Sequence, residues 1–112
     1  MTELIPEDAK LVVLARATRA RTGATSGAAL RDLDGRTYAA AEVALPSLSV
    51  SAIGVCVAMA ISSGAKGAEA LVLLGSGVVD DADLAAVREF AGGGVPVHVG
   101  DARGNVAGTV TS

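Results

Sequence analysis

The feature that most constrains the fold is a long stretch without a charged residue, from Val43 to Ala65. Its length approaches what a transmembrane helix needs, but Pro46 and several serines interrupt it, and Glu42 directly precedes it. Segments that resemble strands flank it on both sides. A fully buried helix in an α/β layer therefore explains the stretch better than a membrane span does, and we predict no membrane association.

Helices and strands are predicted to alternate around this stretch. An amphipathic helix over residues 6–22 ends at Gly23. Strands over 28–32 and 37–45 form a hairpin through Asp34-Gly35, which is a strong hairpin signal. The remaining predicted elements are a helix over 47–63 with Ser47 as its N-cap, a strand over 70–74, a helix over 80–91 stopped by the glycines at 92–94, a strand over 95–99, and a strand or tail over 106–111.

This order of elements predicts an α/β fold, a three-layer α/β/α sandwich. The early hairpin is antiparallel, whereas the later strand–helix–strand units favour parallel pairing, so the sheet should be mixed. A chain of 112 residues has the size of one domain. We therefore predict a single domain over residues 1–112.

Composition limits the partners of this chain. The net charge is −3, aromatic residues make up 2% of the chain, and the one basic cluster is Arg16, Arg19 and Arg21 on the first predicted helix. Nucleic acid needs basic surfaces and aromatic stacking, so we predict no nucleic-acid binding. Apolar residues make up 51% of the chain. A small domain cannot bury all of them, so we expect self-association.

Cysteine usage and the acidic start of the chain predict a cytoplasmic protein. The single cysteine, Cys56, excludes an intrachain disulfide and lies in an apolar run, where a buried structural thiol is expected. Glu3, Glu7 and Asp8 differ from the basic start of a signal peptide.

Several segments resemble the cytidine deaminase family. Gly27–Leu30 followed by Leu33–Arg36 resembles the first hairpin of that family, and Val57–Gly64 resembles the second half of its central helix. Leu84–Phe90 resembles the helix after the double-cysteine motif, and Pro96–Val99 resembles the next strand. The resemblance covers nearly the whole chain and implies a cytidine deaminase-like fold.

The residues that carry zinc chemistry in that family are replaced at the matching positions. The family's Cys-Ala-Glu or His-Ala-Glu triplet falls on residues 51–53, so Ser51 stands in place of a zinc ligand and Ile53 in place of the proton-carrying glutamate. The Pro-Cys-x-x-Cys motif falls on residues 79–83, so Asp80 and Asp83 replace both cysteines. A neutral serine is a poor zinc ligand, and isoleucine cannot carry a proton.

The family's ribose-contacting Asn-x-Glu falls on residues 42–44, which places Glu42 and Ala44 at the ligand-binding positions. We predict no catalytic residue, no metal ligand and no cofactor among these positions. Instead, Asp80 should cap its helix, Asp83 should oppose the helix dipole, and Ile53 should fill the former pocket. Weak binding of a hard cation by Asp80 and Asp83 is the alternative.

The leading hypothesis is a non-catalytic protein on the cytidine deaminase scaffold, acting in interaction or scaffolding with an unidentified protein partner. The resemblance implies a homo-oligomer, a dimer or tetramer formed through the central helices. One alternative is a diverged nucleoside deaminase or hydrolase that uses Asp80, Asp83 or Glu42 in a rearranged site. Another is a pseudoenzyme that binds a nucleoside without converting it. His98 and Tyr38 are interpreted as structural residues.

Overall fold

The computed structural model describes residues 3–112, so the first two residues of the predicted domain lie outside the described part of the chain. The helices of the described residues are α1 (Pro6–Thr22), α2 (Ala52–Ser62) and α3 (Asp81–Ala91). The strands are β1 (Gly27–Asp32), β2 (Thr37–Ala41), β3 (Val43–Leu45), β4 (Leu48–Val50), β5 (Ala68–Leu74), β6 (Pro96–Gly100) and β7 (Val106–Thr111).

Five strands form one mixed sheet in the order β2-β1-β5-β6-β7. Strand β1 runs antiparallel to both of its neighbours, β2 and β5, whereas β5 and β6 are parallel. Strand β7 runs antiparallel to β6, so the last predicted segment is a strand and not a tail. The predicted mixed sheet is confirmed.

Helices cover both faces of this sheet. Along β5, Ala70, Val72 and Leu74 belong to the hydrophobic cluster under α1, whereas Leu71 and Leu73 belong to the cluster under α2 and α3. Successive side chains of a strand point to opposite faces. A strand is therefore apolar on both faces where two helical layers cover it, which explains the continuous apolar run over residues 70–74. The predicted three-layer α/β/α architecture is confirmed.

The segment before α2 differs from the prediction. Strands β3 and β4 form a small antiparallel hairpin that is separate from the main sheet. Helix α2 therefore begins at Ala52, and its N-cap is Ser51 and not Ser47. The apolar residues of the hairpin favour an extended backbone at least as well as a helix, and the Pro46-Ser47 pair between the two strands fits a turn.

The predicted strand over residues 37–45 is divided at Glu42. Strand β2 ends at Ala41, and the chain continues as β3 outside the main sheet. The backbone N–H of Ser26 donates to Glu42 Oε1 at 2.6 Å. This hydrogen bond ties the end of β2 to the segment that precedes β1.

Helix α2 is buried on one side only. Ile53 and Cys56 have no exposed surface, whereas Ala58 and Ile61 are exposed, Ile61 by 54%. The prediction of a fully buried helix is wrong for the single chain, because no further layer of the described residues covers its outer side. Within residues 3–112, no helix has both the length and the apolar character that crossing a bilayer requires.

The β1–β2 turn is held by the buried carboxylate of Asp32. It accepts hydrogen bonds from the backbone N–H groups of Asp34 and Arg36 at 2.9 and 3.0 Å and from the Tyr38 hydroxyl at 2.8 Å. Burial raises the pKa of the Asp32 carboxyl, but these hydrogen bonds outweigh burial and leave that pKa below its usual value. Tyr38 thus fastens the hairpin in addition to packing on the sheet.

Candidate functional site

Four of the six predicted site residues line a small cavity beside the starts of α2 and α3. The cavity has a volume of about 270 Å³. Helix starts present unpaired backbone N–H groups, and the carboxyl end of β5 reaches the same place, where open α/β sheets bind their ligands. The lining residues are Thr25, Ser26, Glu42, Ser51, Ala52, Leu73, Ser76, Val78, Asp80 and Asp83.

Ser51 connects the first turns of the two helices. Its extended backbone makes it the N-cap of α2, and its Oγ accepts a hydrogen bond from the backbone N–H of Gly54 at 2.9 Å. The same hydroxyl donates to Asp83 Oδ1 in the first turn of α3 at 2.7 Å. A hydroxyl–carboxylate hydrogen bond of this length is charge-assisted. The serine hydroxyl is thus engaged as both donor and acceptor.

Asp80 occupies the N-cap position of α3, as predicted, but its side chain makes no capping hydrogen bond. The helix start is held through the backbone, because the Asp80 carbonyl accepts from the N–H groups of Asp83 and Leu84 at 3.0 and 3.1 Å. The prediction that the Asp80 carboxylate caps the helix is therefore wrong. This exposed carboxylate faces the cavity instead.

Glu42 lies in the cavity wall, whereas Ala44 does not. The hydrogen bond from the Ser26 N–H fixes the Glu42 carboxylate beside the cavity. Ala44 is exposed on the β3–β4 hairpin, where it pairs with Ser49. The hairpin carries it away from the other predicted site residues.

Ile53 is part of the core and is not part of the cavity wall. It has no exposed surface and belongs to the cluster that contains Leu71 and Val87. The structure therefore brings together Glu42, Ser51, Asp80 and Asp83 of the predicted positions, and leaves out Ala44 and Ile53.

The donor set of the cavity does not fit a zinc ion. It consists of carboxylate and hydroxyl oxygens, whereas structural and catalytic zinc sites rely on thiolate and imidazole. The one cysteine, Cys56, is buried under β2, and burial raises its pKa to about 12. Within residues 3–112, no group of three or more His, Cys, Asp or Glu side chains is placed to hold a metal ion.

Sequence reasoning missed the hydroxyl-bearing side of the cavity. Thr25 and Ser26 precede β1, and Ser76 follows β5. The available signal was topological: Ser76 lies two residues after the carboxyl end of β5, which is paired in parallel with β6, and this edge is the usual ligand edge of an α/β sheet. Serine and threonine in loops are too common to mark a site by themselves.

His98 lies on the other face of the sheet, in a separate polar cluster. Its Nε2 lies 2.8 Å from Asp8 Oδ2 and its Nδ1 lies 2.8 Å from Thr109 Oγ1, so both ring nitrogens are engaged. Asp8 Oδ1 lies 2.8 Å from Arg31 Nη2 in an ion pair that lacks hydrogen-bond alignment. Arg31 also pairs with Glu69. The cluster joins α1 to β1, β5, β6 and β7.

The family model described as "Cytidine deaminase-like" matches residues 4–104. No curated protein matches the chain by sequence.

Solved structures of cytidine deaminases share the fold. The enzyme from Burkholderia pseudomallei has a TM-score of 0.80 at 21% identity, over 91% of this chain and 90% of that one. The Mycobacterium leprae enzyme has a TM-score of 0.75 at 17% identity, over 96% and 94% of the two chains. The Mycobacterium tuberculosis enzyme has a TM-score of 0.71 at 20% identity, over 84% and 85%. At these identities the likeness establishes the fold alone.

Proposed function

This chain belongs to the cytidine deaminase-like family, and we propose that it is a non-catalytic member that acts as a homo-oligomeric interaction or scaffold protein in the cytoplasm. The observation that carries the proposal is the hydrogen bond between Ser51 and Asp83 at the two helix starts. The resemblance matches these two positions to zinc ligands of the deaminases, and here a hydroxyl and a carboxylate bind each other.

The loss of the proton carrier supports the same proposal. Zinc-dependent deamination needs a metal-activated water and a glutamate that moves protons to the ring and to the leaving amine. Ile53 stands at the glutamate position and is buried in the core. Losing general acid–base catalysis alone typically lowers a rate by about 10²–10⁴-fold.

The uncharged outer surface of the α2 region supports self-association. Leu45 and Leu48 of the β3–β4 hairpin are exposed by 59% and 53%, and Ile61 of α2 by 54%. No charged residue occurs between Val43 and Ala65, so two copies can bring these surfaces together without desolvating charge. Packing of α2 and its hairpin against a second copy would bury all three side chains.

A nucleoside-binding pseudoenzyme is the second candidate, and the cavity favours it. Its carboxylates can accept hydrogen bonds from ribose hydroxyls; they include Glu42 and Asp80, whose side chain makes no capping hydrogen bond. Its hydroxyl groups can both donate and accept. In this candidate the chain recognises a ligand and signals its presence through the oligomer.

A deamination assay combined with thermal shift separates these functions. We expect no conversion of cytidine to uridine, followed by absorbance, and no change in melting temperature with cytidine or uridine. Ligand-dependent stabilisation without product, lost in Asp80→Ala, would favour the nucleoside-binding candidate. Turnover above the uncatalysed rate, abolished by Asp83→Asn, would support a rearranged hydrolase and contradict the proposal.

Self-association is tested separately by sedimentation. Ile61→Lys should lower the mass of the assembly, because it introduces a charge into the proposed contact. Val13→Lys is the matched control, since Val13 is exposed by 65% on α1, away from that surface. A monomeric wild-type protein, or equal behaviour of the two variants, would contradict self-association through α2.

A further inference from the structure

Within residues 3–112, no further strand pairs with the edge of the main sheet at β7, and the strand itself carries no charge or proline. Strand β7 is one of the two outermost strands. An edge strand presents unpaired backbone N–H and C=O groups, and proteins commonly protect such edges with charges, prolines or covering segments. The opposite edge, β2, is flanked by Arg36 and Glu42, and α1 and α2 pack against it.

An apolar groove runs beside this edge on the α3 face of the sheet. It has a volume of about 770 Å³, and its wall includes Val79, Val99 and Val110. Val110 is exposed by 40%, and Val78 of the adjoining loop by 66%. The groove and the unpaired edge are separate features, yet the same kind of partner can contact both. An added strand would pair with the backbone of β7, and apolar side chains on one of its faces would lie beside the groove.

We propose that β7 pairs antiparallel with β7 of a second copy of this chain, so that the two five-stranded sheets become continuous. Sequence favours a second copy as the occupant. In a twofold pair the same strand meets itself, and a strand without charge meets no like-charge repulsion. Threonine and β-branched apolar residues are also favourable cross-strand neighbours.

The pairing also brings the α3 faces of the two sheets side by side. Val110 of each copy lies on that face, so the added strand borders the groove and extends its apolar floor. This contact is distinct from the α2 surface, so it can form whether or not α2 associates. A protein that uses both contacts forms a higher assembly than a dimer.

Cysteine crosslinking tests the geometry directly. In a twofold antiparallel pair one residue lies opposite its own copy, with Cβ atoms about 4.5–5.5 Å apart. Five variants with one added cysteine each in β7 are treated with a short bis-maleimide in the otherwise native chain. The replaced residues are Val106, Ala107, Gly108, Val110 and Thr111. Thr109 is left intact because it binds His98. Native Cys56 stays silent, because it is buried and its pKa is raised to about 12.

The expected result is covalent dimer at one β7 position, with at most weak reaction at its neighbours, or weaker dimer at both Gly108 and Val110 if Thr109 is the residue opposite its own copy. Val13→Cys and the wild-type protein should give none. In parallel, Val110→Lys should halve the mass of the assembly in sedimentation, whereas Val13→Lys should leave it unchanged. If all five variants crosslink no more than Val13→Cys does, the proposal is overturned. An extended segment of another protein found at this edge would also overturn it. Ile61→Lys reports on the α2 surface alone, so the two proposals fail independently.

Discussion

Replacing Ile53 by glutamate tests the proposal that the position matched to the family's catalytic glutamate has become core. Ile53 has no exposed surface and packs in the cluster under α2 and α3. A glutamate at this position would place a carboxyl among apolar side chains without a partner. Burying an uncompensated polar group costs about 1–3 kcal/mol even when it is neutral, and the lost isoleucine contacts add to that cost.

Ionisation makes the cost depend on pH. Burial raises the folded-state pKa of a glutamate above its unfolded value of about 4.3, and values of about 8–9 are documented. Between these two pKa values the folded state holds a proton that the unfolded state has released, so stability falls as pH rises. At about 1.36 kcal/mol per pKa unit, on the order of 5 kcal/mol is lost between pH 4 and pH 8. A whole domain is stable by only about 5–15 kcal/mol.

The assay is urea denaturation followed by circular dichroism at pH 5 and pH 8. Ile53→Gln is the matched control, because glutamine has nearly the same shape as glutamate but carries no charge. This variant should show no added pH dependence. Ile53→Val should cost only about 0.5–1.5 kcal/mol at either pH. If Ile53→Glu is as stable as Ile53→Gln at pH 8, water reaches this position and the reasoning is refuted.

Three further predictions concern the contacts around the site. A double-mutant cycle of Ser51→Ala and Asp83→Ala should give a coupling of about 0.5–1.5 kcal/mol in urea denaturation, and strict additivity would contradict the link between the helices. Cys56 should react with a thiol reagent at pH 8 only after unfolding, because its pKa is about 12; prompt labelling of the native protein would contradict its burial. Asp8→Ala should destabilise the fold by about 3 kcal/mol, because it breaks the buried contact with His98, and a loss below about 0.5 kcal/mol in urea denaturation would contradict that role.

Sequence patterns were sufficient where the signals are local. Pro6 and Gly23 bound α1, and the glycines at 92–94 follow α3, so both helices could be predicted closely. The alternating environments of β5 appear in the sequence as a continuous apolar run. These features depend on residues only a few positions apart.

The hairpin before α2 could not be predicted by the same reasoning. A short apolar run is compatible with a strand or with a buried helix. Pro46 and Ser47 are compatible with a turn and also with the start of a helix, so the choice is settled only when Ser51 takes the N-cap and bonds Asp83. That contact joins residues 32 positions apart, and the His98–Asp8 contact joins residues 90 positions apart. Such pairs depend on the tertiary fold and have no signature in the spacing.

The zinc content of the purified protein tests the central claim most directly. Protein produced in zinc-supplemented medium and purified without chelator is dialysed and analysed for metal per chain. Because Ser51, Asp80 and Asp83 provide only oxygen donors, which are poor substitutes for thiolate and imidazole, the account predicts well under one zinc per chain. One zinc per chain that survives dialysis would contradict it.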